Sequence, residues 1–281
     1  MTHPSQAEKA ARFAALHREG CFILPNAWDM PSAALIAEAG FPAVATTSAG
    51  VAFAEGLPDG ERITRDRMLD IAGEIARRLP LPVTADLEAG YGQRPEDVAA
   101  TVTRAVAAGL IGCNIEDSDP RTFKLLDFDL TVARIRAGAE AAKAAGLADF
   151  VLNARIDPYL MGFGDAAANF AEAVKRANAC LKAGAKCAFV PGPVDADTIK
   201  RLAAAIEGPL NIMAVARGHA PPLGELRQLG VRRASLGGSL MQATYGFARA
   251  TLRTLAEGGA FSFAAQAVPH GEMSKLMEKY R

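Results

Sequence analysis

Cysteine is scarce in this 281-residue chain, and the four present, Cys21, Cys113, Cys180 and Cys187, show neither CxxC nor zinc-ligand spacing. A disulfide framework, a dithiol redox motif and a zinc ribbon are therefore excluded as organising features. Three of the four lie in apolar stretches, so free, mostly buried thiols in a reducing compartment are expected. Net charge is also missing: 31 basic residues meet 31 acidic ones. With no Lys/Arg cluster interleaved with aromatics, the footprint of a nucleic-acid binder is absent. No uninterrupted apolar run is long enough to span a bilayer, and the N-terminal "THPSQAEKAARFAALHREG" has no apolar signal-peptide core. The expectation is a soluble, cytoplasmic protein whose partner is a small molecule, with no nucleic acid and no membrane.

Half of the residues are hydrophobic and 22% are charged, enough to bury a sizeable core. "SQAE" from Ser5 to Glu8 is a capping-box pattern and Gly20 closes what it opens, which predicts an N-terminal helix over about 5–20. Short apolar runs then alternate with helical patterns: "CFILPNA", "AVATTSA", "LPVTADLEA", "IGCNIED", "DFVLNARID", "KCAFVPG", "LNIMAVA" and "RRASLGG". Gly40, Gly109, Gly146, Gly184 and Gly230 each stand at a helix end shortly before a strand. Continuously apolar strands joined by helices imply a parallel sheet covered on both faces, and eight such units close most naturally into an α/β (β/α)8 TIM barrel. A doubly wound open sheet is the alternative, weakened by "PNAWDMPSAA" standing where a GxGxxG loop belongs. One domain over 1–281 is expected, with a C-terminal extension over about 259–281 that packs on a neighbour or on the barrel exterior.

In such barrels the chemistry sits at the C-terminal strand ends. Polar residues concentrate there: Thr47, Ser48 and Gly50; Asp86 and Glu88; Asn114, Glu116 and Asp117; Asn153, Arg155 and Asp157. Asp86 and Glu88 are two apart, so a continuing strand points both at the barrel axis. Adjacent carboxylates repel unless a cation or proton lies between them, and with Glu116 they form an oxygen-only set suited to Mg²⁺ or Mn²⁺. The alternative is a buried ion-pair network of these acids with Arg155 and Arg217. "TTSAG" is a small-residue strand end at which backbone N–H groups can face an anion, and Arg155 offers a planar fork for a carboxylate.

"PNAWD", "TTSAG", "GLPDG", "ADLEAGYG", "NIED" and "NARID", in this order and at barrel spacing, resemble the isocitrate lyase and phosphoenolpyruvate mutase superfamily. The resemblance implies an Mg²⁺-dependent barrel acting on 2-oxo or 2-hydroxy carboxylic acids through a pyruvate-like enolate, in a homo-oligomer, tetramer or dimer, with the last helix exchanged between partners. It implies that Asp86 holds the metal, directly or through water, and that Glu88 and Glu116 bind its waters. Ser48, Ala49 and Gly50 would hold the substrate's carboxylate or enolate oxygen, Asp59 would stand near the metal waters, and Arg155 would bind a carboxylate.

Two departures are visible. Glu88 stands where the family usually has aspartate, and the loop after "NIED" reads "SDPRTFKLLDFD" where the carbon–carbon lyases carry a "KCGH"-type motif. Cys113, inside the fourth strand, is placed as a core thiol and not as a substitute acid. Lys124 in the loop and His219 in "ARGHAPP" are the candidate acid–base groups, and the loop itself is a candidate lid. The leading expectation is an Mg²⁺-dependent lyase that cleaves a carbon–carbon bond of a small 2-oxo or 2-hydroxy acid. The alternatives are a phosphonopyruvate mutase or hydrolase, an oxaloacetate decarboxylase, or a non-catalytic 2-oxo acid binding protein.

Overall fold

Pro25 splits the first barrel strand in two, and the split is what lets the sheet close on itself. In the computed structural model, which describes residues 4–215, 218 and 220–281, the helix α1 (Gln6–Leu16) leads into β1 (Phe22–Leu24) and β2 (Asn26–Ala27) on either side of that proline. Then come α2 (Met30–Glu38), β3 (Val44–Thr46), α3 (Ser48–Ala54), α4 (Arg65–Arg78), β4 (Val83–Asp86), α5 (Pro95–Ala107) and β5 (Gly112–Glu116). A small hairpin follows, β6 (Ser118–Asp119) and β7 (Lys124–Leu125), and then α6 (Phe128–Ala144), β8 (Val151–Arg155), α7 (Pro158–Met161) and α8 (Ala166–Lys182). The chain finishes through β9 (Cys187–Val190), α9 (Ala196–Ala205), β10 (Leu210–Met213), α10 (Leu223–Gln228), β11 (Arg233–Ser235), α11 (Ser239–Ala256) and α12 (His270–Lys279).

The main sheet is parallel, in the order β1-β11-β10-β9-β8-β5-β4-β3-β2. Phe22 pairs with Arg233 and Asn26 with Ala45, so the two halves of one broken strand join the two ends of the sheet. The result is the expected α/β barrel, its strands buried almost without alternation. The helix-end glycines sit where the punctuation places them. Gly109, for example, has φ +96, a conformation a Cβ would strain, and its N–H donates to Val106 O at 3.0 Å.

The capping box at Ser5 forms, with Ser5 N donating to Glu8 Oε2 at 2.7 Å, and starts α1 as expected. Phe13 of α1 and His17 at its C-terminal cap pack edge-on against each other and against Phe22 at the start of β1, while buried Lys9 donates to Ala76 O and Leu79 O. This helix therefore covers the N-terminal end of the barrel, and the C-terminal end remains for chemistry.

The last barrel helix behaves differently. Only Met241 of α11 is buried, and Tyr245, Phe247 and Leu252 are exposed along it. The C-terminal extension returns to the barrel exterior: Leu276 and Tyr280 are buried, and Arg78 Nε donates to Tyr280 O at 2.6 Å. None of the helices among the described residues is long and apolar enough to cross a membrane.

Candidate active site

Two parallel rows of side chains cross the sheet from β4 to β8. Register aligns Asp86 with Asn114 and Asn114 with Asn153; two residues further on, Glu116 aligns with Arg155. The period of two puts both rows on one face of each strand. Above them lies a cavity of about 150 Å³ whose lining includes Ser48, Asp59, Glu88, Glu116, Ser118 and Arg155.

Asp86 ends β4 and is buried. Its Oδ2 accepts from Ser48 Oγ at 2.9 Å and from Ser48 N at 3.3 Å, and its Oδ1 accepts from Asn114 Nδ2 at 3.4 Å. Glu88 does not continue the strand, contrary to the same-face expectation. The chain turns at Leu87, whose carbonyl accepts from Gly90 N, and Glu88 takes a left-handed φ of +49. Its side chain reaches the cavity by way of that turn: Oε2 accepts from Glu61 N at 2.6 Å, while Oε1 is buried with no partner among the described residues. Burial first, then the Asp59 and Asp86 charges, push Glu88 up to about 8. Asp59 is raised as well, by burial and by Asp86, against the pull of Gly60 N–H, Arg155 and Ser48.

Also lining the cavity, Arg155 contacts Glu116 through Nη1 and donates from Nε to Asp157 Oδ1 at 2.8 Å; its Nη2 carries no hydrogen bond among the described residues. Burial alone would lower its pKa, but the Asp157 and Glu116 carboxylates more than offset that and raise it. Burial holds Glu116 well above the usual carboxylate range, opposed by Arg155 and reinforced by Asp157, Asp86 and Glu88. Asp157 is anchored in turn. Its Oδ2 accepts from Ser118 Oγ at 2.8 Å, and its N–H donates to Asp117 Oδ1, whose other oxygen meets Arg176 at 3.3 Å. The ion-pair alternative raised by the sequence is thus realised for Glu116, while Arg217 lies outside the described residues.

The hairpin β6–β7 forms the roof through Ser118, Asp119, Pro120 and Phe123. All four non-glycine residues with positive φ among the described residues, Glu61, Glu88, Tyr91 and Phe123, lie in the three loops around the cavity. Strain gathered at one place is typical of a functional site. Lys124 stands exposed on β7 and does not line the cavity; His219 lies outside the described residues. Of Ser48, Ala49 and Gly50, only Ser48 lines it. Gly50 N is directed to Thr47 Oγ1 at 3.4 Å, and a Cβ there would sit 2.6 Å from Thr47 Cγ2 and 2.9 Å from Trp28 Cβ. No cysteine lines the cavity, and burial pushes Cys180 and Cys187 up to about 12.

Among the described residues no three acidic, cysteine or histidine side chains converge closely enough to ligate one ion directly. The donor set nevertheless fits a hydrated hard cation: all oxygen, with one buried Glu88 oxygen unpartnered and with neighbouring carboxylates raising the cost of ionising Asp59 and Glu88. Ser118, Asp157 and Glu61 escaped assignment from the sequence. Asp157 stood among the strand-end polar residues, Ser118 in the loop, and Glu61 carried no signal.

The family model for phosphoenolpyruvate phosphomutase matches residues 13–256. An uncharacterised protein of Mycobacterium tuberculosis is 35% identical over 94% of this chain and 95% of its own. The oxaloacetate decarboxylase of Chromohalobacter salexigens is 30% identical over 83% of this chain and 80% of its own. A crystal structure from Burkholderia cenocepacia J2315, provisionally described as a lyase/mutase, superposes with a TM-score of 0.91 at 40% identity, covering 97% of each chain.

Proposed function

This chain is an enzyme of the phosphoenolpyruvate phosphomutase family, and we propose that it is a lyase that breaks a carbon–carbon bond of a small 2-oxo or 2-hydroxy acid through a pyruvate-like enolate. The observation that carries this reading is that Arg155 and Ser48, the latter bonded to Asp86, line one cavity of about 150 Å³, room for a small diacid. Arg155, held by Glu116 and Asp157, directs its remaining nitrogen at a substrate carboxylate. Asp86, directly or through water, together with Glu88, Glu116 and Asp59 through water, would hold Mg²⁺, with Mn²⁺ as the substitute. When bound, the ion supplies Lewis-acid stabilisation of negative charge on a 2-oxo oxygen. Ser48 spends its hydroxyl proton on Asp86 and thereby fixes that carboxylate's orientation. Pro120 and Phe123 of the hairpin cover one side of the cavity.

Oxaloacetate decarboxylation is the reading favoured within this class by the roof itself. No cysteine lines the cavity, Lys124 stands exposed outside its lining, and departing CO₂ needs no proton from the lid, while the pyruvate enolate left behind takes its proton from water. Phosphonopyruvate mutase or hydrolase chemistry on the same scaffold, and metal-linked binding of a 2-oxo acid without turnover, are the competing outcomes. A coupled assay for pyruvate or glyoxylate, run over oxaloacetate, phosphonopyruvate, methylisocitrate and other branched 2-hydroxy diacids, separates them. Turnover of oxaloacetate supports the reading; all substrates inert, with oxalate still bound, would leave a binding protein.

The active form is proposed to be a homo-oligomer, a dimer or tetramer. An apolar groove of about 430 Å³, lined by Trp28, Leu35, Phe41, Leu236 and Leu240, lies beside the exposed α11, and a second copy's helix has the chemistry to fill it.

A further inference from the structure

We propose that Asn114 and Asn153 are positioning residues that together set the orientation of the Asp86 carboxylate. The inference rests on the reading of Asp86 as the carboxylate that holds the metal. The three side chains are register partners on β4, β5 and β8, and all are buried. Asn114 Nδ2 donates to Asp86 Oδ1 at 3.4 Å, and Asn153 Nδ2 donates to Asn114 Oδ1 at 2.7 Å.

The polarity of this row follows from its end. A carboxylate only accepts, so the Asn114 atom facing Asp86 must be its amide nitrogen. The Asn114 oxygen must then face Asn153, and Asn153 must meet it with its own nitrogen. Each amide is therefore locked in one of its two orientations by the next, and Asn153 opposes any flip that would turn the Asn114 carbonyl towards Asp86.

Asn153 is costly to keep. Its Oδ1 is buried with no partner among the described residues, which carries the full desolvation penalty of a polar group. An apolar side chain of similar volume would serve the core better, so packing alone does not account for an asparagine here. With Ser48 holding Oδ2 and Asn114 holding Oδ1, the Asp86 carboxylate is fixed from both sides.

The test is a calorimetric titration of the full-length protein with Mg²⁺ alone, on wild type, Asn114→Leu, Asn153→Leu, the double variant and Asp86→Asn, with thermal midpoints recorded alongside. The expected result is a loss of Mg²⁺ affinity of about tenfold in Asn114→Leu, a smaller loss in Asn153→Leu, and no further loss when Asn153→Leu is added to Asn114→Leu. A merely structural role would shift midpoints additively and leave the affinity of the folded protein unchanged. If Asp86→Asn abolishes binding while both asparagine variants bind as wild type, the positioning role is overturned and the metal reading survives. Wild-type Mg²⁺ affinity in Asp86→Asn overturns the metal reading and the positioning role with it. Should Asn153→Leu fail to fold, Asn153→Ser keeps a donor in a smaller side chain and must fall between wild type and Asn114→Leu; wild-type affinity with a lowered midpoint would overturn the proposal.

Discussion

Arg155 Nε and Asp157 Oδ1 lie 2.8 Å apart in a pair whose carboxylate is fully buried and whose guanidinium side chain is 17% exposed, on the cavity side. The pair is stationary because Asp157 also takes the Ser118 hydroxyl.

Replacing Asp157 by Asn removes the charge but keeps the shape. Stability is expected to fall by about 2 kcal/mol, since Arg155 exchanges a charge-assisted hydrogen bond for a neutral one and keeps Glu116 as its remaining carboxylate partner. The Michaelis constant for a carboxylate substrate should rise roughly tenfold as Arg155 loses its fixed geometry. Denaturant unfolding and steady-state kinetics check the two effects separately, and an unchanged Michaelis constant would remove Asp157 from the account.

Most of the fold could be read from the sequence because barrel strands are buried on both faces and helix ends need left-handed glycines, as Gly109 shows. The acids of the site were readable for the same reason, as charges stranded at the end of apolar runs. What escaped depends on backbone turns and on what covers what. The left-handed turn at Glu88 replaces the strand that a period-two pattern continues, and the partnership of Ser118 with Asp157 joins residues 39 apart. Periodicity shows that α11 has an apolar face but carries nothing about whether its own barrel covers it.

His17 gives a pH dependence unrelated to catalysis. Burial, and secondarily Arg233, lowers its pKa from 6.5 to about 4. Between those values the unfolded chain binds a proton that the folded one does not. Stability is therefore full above pH 6.5 and declines as pH falls, by about 3 kcal/mol at pH 4. His17→Phe should flatten that part of the curve of thermal midpoint against pH; an unaltered slope would show that other groups set it.

The groove beside α11 predicts association. By size-exclusion chromatography with light scattering, the wild type is expected as a dimer or tetramer, and Leu35→Glu, a charge on the groove wall, as smaller species. A monomeric wild type would contradict the oligomer.

The central claim, that this cavity holds a hydrated Mg²⁺ and stabilises an enolate between it and Arg155, is tested most directly by calorimetry with oxalate, a planar dianion shaped like pyruvate enolate. Binding is expected with Mg²⁺, abolished by EDTA, and weakened about a hundredfold in Arg155→Met, which keeps bulk and loses the fork. Oxalate bound equally well in EDTA, or by Arg155→Met as by wild type, would contradict it.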